Sequence, residues 1–211
     1  MKFRKQNLWI ALSFILLSAL ASGSLYAQKQ KKGWIKLFDG KSFDGWKAAE
    51  NPESFKIEDG AIVVFGPRAH LFYAGPVANH QFKNFEYKAK VMTKPGANSG
   101  MYIHTEYQDT GWPQKGYEIQ VNNSHTDWRR TGSVYGIQDV REPPAKDDKW
   151  FTQHIIVNGN KITVKVDGKT INEYTVPADG GKLSAGTFAL QAHDPKSQVY
   201  YKDIMVKVLP D

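Results

Sequence analysis

Phe85, Tyr87, Ala89 and Val91 alternate with Glu86, Lys88 and Lys90, the two-residue period of a strand with one face in a core and the other in water. Ala61 to Phe65 is a compact apolar run after the turn Glu58-Asp59-Gly60. Ile162, Val164 and Val166 mark an inward face between two hairpin signals, Asn158-Gly159-Asn160 and Asp167-Gly168. The pattern predicts strands over Gln153 to Asn158, Lys161 to Val166, Thr170 to Val176, Thr187 to Ala192 and Val199 to Val208, and hardly any window carries a helical period. Antiparallel strands packed as two sheets, an all-β sandwich, are the expected architecture.

Two further blocks, Asn98 to His104 and Gly116 to Gln120, place polar groups at every second residue. If both are strands, Tyr102, His104 and Glu106 share one face, as do Glu118 and Gln120. A polar face spread over two strands reads as a binding groove, or equally as a face washed by solvent. The irregular stretches Gln108 to Lys115, Asn122 to Arg130 and Gln138 to Lys149 flank these strands. Loops of that length in a compact domain are more often functional than idle.

Composition agrees with the pattern: 6 Trp, 10 Tyr and 11 Phe suit half-buried pleated surfaces, and 18 Gly and 10 Pro suit turns. At the start, Lys2, Arg4 and Lys5 precede an apolar run from Leu8 to Ala21 and then small residues, which reads as a secretory signal over residues 1–27, cleaved after Ala21 or Ala27. The run is short for a bilayer, so no membrane span is expected after cleavage, and the protein is expected to be exported to the periplasm or the cell exterior. Residues 28–32 form a basic tail and 33–211 one β-sandwich domain. Setting aside three leader cations lowers the net charge from +7 to +4, and no basic stripe argues for nucleic acid. Cysteine is absent, so the fold rests on its core. No feature specifies an oligomeric state.

His70, His80, His104, His125, His154 and His193 are scattered without the spacing of a zinc motif, and there is no calcium-type acidic loop, so neither metal nor cofactor is expected. Nucleophilic catalysis lacks both a G-x-S-x-G turn and a cysteine. Sandwich-fold glucanases carry three acids as E-x-D-x-E, which sets a nucleophile and an acid/base on one face. Here that pattern reads Glu118-Ile119-Gln120-Val121-Asn122, with amides at the second and third places. One acid remains, able to serve as a general acid or base. His104 is a candidate base or hydroxyl ligand, or a structural residue. Gln191 and His193 share a face where a strand ends, and Asp194 either joins them or caps the turn. Trp112, Trp128 and Tyr135 are candidates to stack on a sugar ring, or else loop anchors. Arg129-Arg130 reads as solvated charge.

Leu37-Phe38-Asp39-Gly40-Lys41-Ser42-Phe43-Asp44-Gly45-Trp46 resembles the opening signature of the 3-keto-disaccharide hydrolase domain family. The remaining blocks follow in that family's order: Phe85-Glu86-Tyr87, Asn98-Ser99-Gly100, Gly116 to Gln120, Thr131-Gly132 with Tyr135, Trp150, Leu190 to His193, and Tyr201 to Ile204. The likeness runs from about Gly33 to Leu209. It implies a concanavalin A-like lectin/glucanase jelly roll and an exported protein acting on glycosides oxidised to a ketone at C3. Two places depart from the family: His104 stands where many relatives carry Arg, and Tyr201-Lys202 where Arg-Asn is usual.

The activity implied by the resemblance suits a single acid, because a C3 ketone acidifies the hydrogen at C2 and lets a modest base start an elimination of the aglycone from C1, with water adding back. The expected catalytic residues are Glu118 and His104. The expected substrate ligands are Asn98, Gln120, Tyr135, Gln191, His193, Trp112 and Trp128, and the expected partner is an oligosaccharide or glycoside. The alternative is a non-catalytic carbohydrate-binding module of the same fold.

Overall fold

The computed structural model describes residues 33–178 and 184–211; the predicted leader and basic tail lie outside them. Thirteen strands follow in order among the described residues: β1 (Ile35–Lys36), β2 (Trp46–Ala49), β3 (Phe55–Glu58), β4 (Ala61–Val64), β5 (Ala69–Tyr73), β6 (Phe85–Thr93), β7 (Ser99–Thr105), β8 (Tyr117–Val121), β9 (Phe151–Asn158), β10 (Lys161–Val166), β11 (Lys169–Thr175), β12 (Thr187–Ala192) and β13 (Val199–Val208). They form two antiparallel sheets. One has the order β11-β10-β9-β6-β13-β4-β3 with β1 added on β13, and the other the order β2-β5-β12-β7-β8. The expected all-β sandwich is the fold, and β10, β12 and β13 have the predicted bounds. Thr131 to Tyr135 is not a strand: Val134 makes isolated bridges to Ile119 and Gln138.

The alternating apolar residues meet between the sheets. Phe188 of β12 stacks on Tyr87 of β6 with ring centroids 4.1 Å apart, and on Phe82 at 4.3 Å, while Phe85 meets it edge-on at 4.9 Å. All four rings are fully buried. A polar pin crosses the same space, where the Tyr201 hydroxyl of β13 lies 2.7 Å from Ser99 Oγ of β7 and Ser99 Oγ donates to the carbonyl of Gln191. Tyr201, one of the departures from the family pattern, thus ties the eight-stranded sheet to the strand that carries Gln191.

The opening signature is architectural. Asp39 Oδ1 accepts from the backbone N–H of Lys41 (2.7 Å) and Ser42 (2.8 Å), closing a tight turn. Buried Trp46 then donates its indole N–H to the Leu37 carbonyl (2.7 Å).

The five-stranded sheet buries side chains on both faces: β5, β7 and β12 are buried along their whole length. Its inner face is the core. On its outer face Ala49, Phe72, Tyr102 and Ala189 form a second apolar cluster. The segment 106–116 folds back over part of this face, setting Tyr107 edge-on to Phe72 (5.3 Å) and Trp112 edge-on to His70 (5.7 Å). It is held down where Gly111 N–H donates to Glu50 Oε2 (3.1 Å), Glu50 itself pairing with Arg68 at 2.6 Å. The rest of the outer face stays open as a groove. Among the described residues no helix is long and apolar enough to cross a membrane.

Candidate functional site

Antiparallel register brings the polar side chains of three strands into one row. Tyr102 of β7 lies opposite Glu118 of β8, and Gly100 opposite Gln120. On the other side of β7, β12 pairs Leu190 with Met101, which sets Gln191 beside Gly100. The result is a cavity of about 410 Å³ lined by Asn98, Tyr102, Trp112, Pro113, Gly116, Glu118, Gln120, Tyr135, Gln191 and His193. That volume falls within the range of small-ligand sites.

Glu118 is the centre of this arrangement. Its Oε2 accepts from the Tyr102 hydroxyl (2.8 Å) and its Oε1 from Gln191 Nε2 (2.9 Å). Turned so that its nitrogen faces Glu118, the Gln120 amide donates to Oε1 at 3.1 Å and to the Ser99 carbonyl at 2.9 Å. Three donors on one carboxylate are the bonding of an ionised acid. Tyr102 is pushed well above the usual phenol range, by burial first and then by the charge of Glu118, so it stays a neutral donor. Gly100 makes room: a Cβ there would stand 2.5 Å from Glu118 Oε1 and 2.8 Å from its Cγ.

A second group sits at the edge of the cavity. His193 Nδ1 lies 2.8 Å from Asp194 Oδ2, and the ring is flanked by Trp112 (5.3 Å) and His125 (5.5 Å). Partial burial raises the Asp194 carboxyl, but hydrogen bonds from Ser197, His193 and the Lys196 N–H outweigh it and hold the group at about 2. Burial, and then the charge of His193, lower His125. Its loop is built by Arg130, whose Nη1 donates to Asn122 Oδ1 and to the carbonyls of His125 and Asp127 (2.7–3.1 Å). Arg130 is therefore the loop's internal brace, where its sequence position suggests only solvated charge. His125, His193 and Asp194 bring donor atoms within 4.8 Å of one another, a proximity that sequence spacing conceals. Both Nδ1 atoms are engaged, His125 by Asp127 N–H (3.0 Å) and His193 by Asp194, and the two imidazoles meet edge to face.

Of the nine residues singled out from sequence, seven line the cavity: Glu118, Asn98, Gln120, Tyr135, Gln191, His193 and Trp112. His104 does not. Between Tyr102 and Thr105 strand β7 advances three residues while β12 advances two, and His104 takes up the bulge with φ 51°. The bulge breaks the alternation that would set His104 beside Tyr102. Its Nε2 instead lies 2.9 Å from the Lys83 carbonyl and its ring meets Phe85 edge-on at 5.4 Å. Trp128 is also outside the cavity, half exposed between the guanidiniums of Arg129 (4.9 Å) and Arg141 (4.3 Å). Tyr102, Pro113 and Gly116 also line the cavity and were not among these nine. Alternation grouped Tyr102 with His104 and Glu106 on one strand, but its place opposite Glu118 requires the register.

With this geometry in place, comparison with known proteins assigns the family: the model of the 3-keto-alpha-glucoside-1,2-lyase-like domain matches residues 33–207. The chain belongs to that family. A 3-keto-disaccharide hydrolase of Bacteroides thetaiotaomicron is 33% identical, the match covering 92% of this chain and 84% of the relative. Among solved structures, a candidate glycosyl hydrolase of Parabacteroides distasonis superposes with a TM-score of 0.72 at 20% identity, over 84% of this chain and 94% of that one. The carbohydrate-binding module CBM66 of Bacillus subtilis has the same fold at a TM-score of 0.55 and 11% identity, over 77% and 95%. The family model and the Bacteroides relative agree with the resemblance read from the sequence.

Proposed function

We propose that this protein cleaves the glycosidic bond of 3-keto-glycosides in the cavity around Glu118, by elimination of the aglycone followed by hydration. The observation that carries this reading is the single carboxylate lining the cavity, which accepts hydrogen bonds from Tyr102, Gln191 and Gln120. Ordinary retaining or inverting hydrolysis uses two carboxyl groups across the scissile bond. Glu118 alone suffices if the substrate supplies its own activation. A ketone at C3 does so by acidifying the C2 hydrogen, which Glu118 removes as the general base. Gln120, Asn98 and Gln191 act as hydroxyl or oxyanion ligands, and Trp112 and Tyr135 offer their rings to the sugar. The leader read from the sequence supports work outside the cytoplasm, in the periplasm or beyond the cell.

The test is to incubate purified protein with a chromogenic 3-keto-glucoside and with its unoxidised parent. Only the ketone should be cleaved, and Glu118→Gln should lower the rate about 10²–10⁴-fold in a folded protein. Comparable cleavage of both sugars would restore an ordinary glycosidase mechanism. Binding without cleavage of either, unchanged in kind by Glu118→Gln, would make the groove that of a carbohydrate-binding module.

A further inference from the structure

We propose that His193 and Asp194 form an acid–base dyad on the aglycone side of the cavity, His193 being the catalytic residue and Asp194 the residue that positions it. The proposal rests on the elimination reading above and adds the group that this reading lacks, a proton source for the leaving oxygen.

His193 follows the last residue of β12 and lines the cavity two positions after Gln191, which is bonded to Glu118. Its partner is fixed from several sides. Asp194 Oδ2 accepts from Ser197 Oγ (2.7 Å) as well as facing His193 Nδ1 (2.8 Å), and Oδ1 accepts from Lys196 N–H (2.8 Å). Ser197 is buried and its Oγ also accepts Asn98 N–H (2.9 Å), which links the carboxylate to a cavity residue. An ionised Asp194 in this position keeps the imidazole proton on Nδ1 and leaves Nε2 as the working atom. The titratable groups facing this pair are His125 from the loop after β8 and His70 from β5, with Glu118 across the cavity.

The proton balance closes with two groups. Glu118 takes the C2 proton; the C2–H electron pair becomes the C1=C2 bond, the C1–O bond breaks, and protonated His193 gives its Nε2 proton to the departing aglycone oxygen. The enone and the alcohol result. In hydration, neutral His193 takes a proton from water as the oxygen bonds to C1, and protonated Glu118 returns a proton to C2. Both side chains regain their starting states, as general acid–base catalysis requires.

Two measurements on chelator-treated protein test the dyad. Without substrate, ¹⁵N-resolved histidine NMR should show the Nδ1–H tautomer for neutral His193, and Asp194→Asn should shift the population toward Nε2–H. With substrate, His193→Gln should slow 3-keto-glycosides with a sugar or alkyl aglycone at least 10²-fold but those with a nitrophenyl aglycone roughly tenfold or less, because a good leaving group needs little protonation. Asp194→Asn should lower kcat and displace one limb of the pH–rate profile with KM little changed. Equal losses on both aglycone classes, or an Nε2–H tautomer in the wild type, would overturn the dyad. So would activity lost on chelation and restored by a divalent ion, which would make His193 and Asp194 ligands. If the wild type cleaves no 3-keto-glycoside while the tautomer is as expected, it is the reaction that has failed, and the catalytic role of the dyad fails with it.

Discussion

At the scale of single residues, two buried histidines show how place decides role. His104 is buried, bonded to the Lys83 carbonyl and packed on Phe85, which places it outside the cavity lining. His104→Ala is expected to destabilise the fold by about 1–3 kcal/mol, through the lost bond and the uncovered carbonyl, while kcat on a 3-keto-glycoside stays within a few-fold. Urea unfolding and steady-state rates on the same preparation check both parts. His70 lies under Trp112 and against Tyr102, and its Nε2 finds no hydrogen-bond partner among the described residues. Burial pulls its pKa from 6.5 to about 4, opposed by Glu50 and assisted by Arg68 and His193. The unfolded chain therefore binds the proton more readily. Stability is full above the unfolded value, falls as pH drops from about 6.5 to about 4, and levels off below that, by up to about 3 kcal/mol. The difference between the urea midpoints of wild type and His70→Leu, followed from pH 7 to 4, isolates this contribution. A difference that does not change with pH would sink the idea.

Among the elements, the segment 106–116 and the bulge in β7 shape the groove. Without the segment, the outer face of β5, β12 and β7 would be an ordinary solvent-facing surface. With it, Trp112 stands as one wall, between His70 and His193 and near the Arg68 guanidinium (5.3 Å). Trp112→Ala is expected to raise KM about tenfold or more through lost ring contact, with a smaller change in kcat. A KM at the wild-type value would show that the wall does not touch sugar. The segment was legible as a long loop beside polar strands, since 108–115 lacks both periods and is rich in turn residues. What it covers was not legible, because the contacts to Phe72, His70 and Glu50 come from residues 35 to 61 positions earlier in the chain. The bulge left no sequence mark either. Tyr102-Ile103-His104 reads as unbroken alternation, and the extra residue appears only when β7 is paired with β12.

For the whole molecule, the groove depends on how the two sheets are locked. Phe188 is the densest point of that lock, stacked on Tyr87 and Phe82. Phe188→Ala should cost about 3–5 kcal/mol, lowering Tm by more than any groove substitution. A calorimetric scan showing a small loss would mean that the core collapses around the void.

Sequence alone determined the fold class, most strands and the reduction of a three-acid pattern to one acid. Those properties are local: a two-residue period, a turn signal or an amide in place of a carboxylate is set by neighbours in the chain. The family followed from the order of several such local blocks. Only the tertiary structure decided that Glu118 is bonded by Tyr102 and Gln191, that His125 meets His193, that His104 turns away and that Trp128 stands outside. Each depends on register or loop path across strands far apart in sequence, and a one-residue difference in register moves a side chain to the opposite face of the sheet.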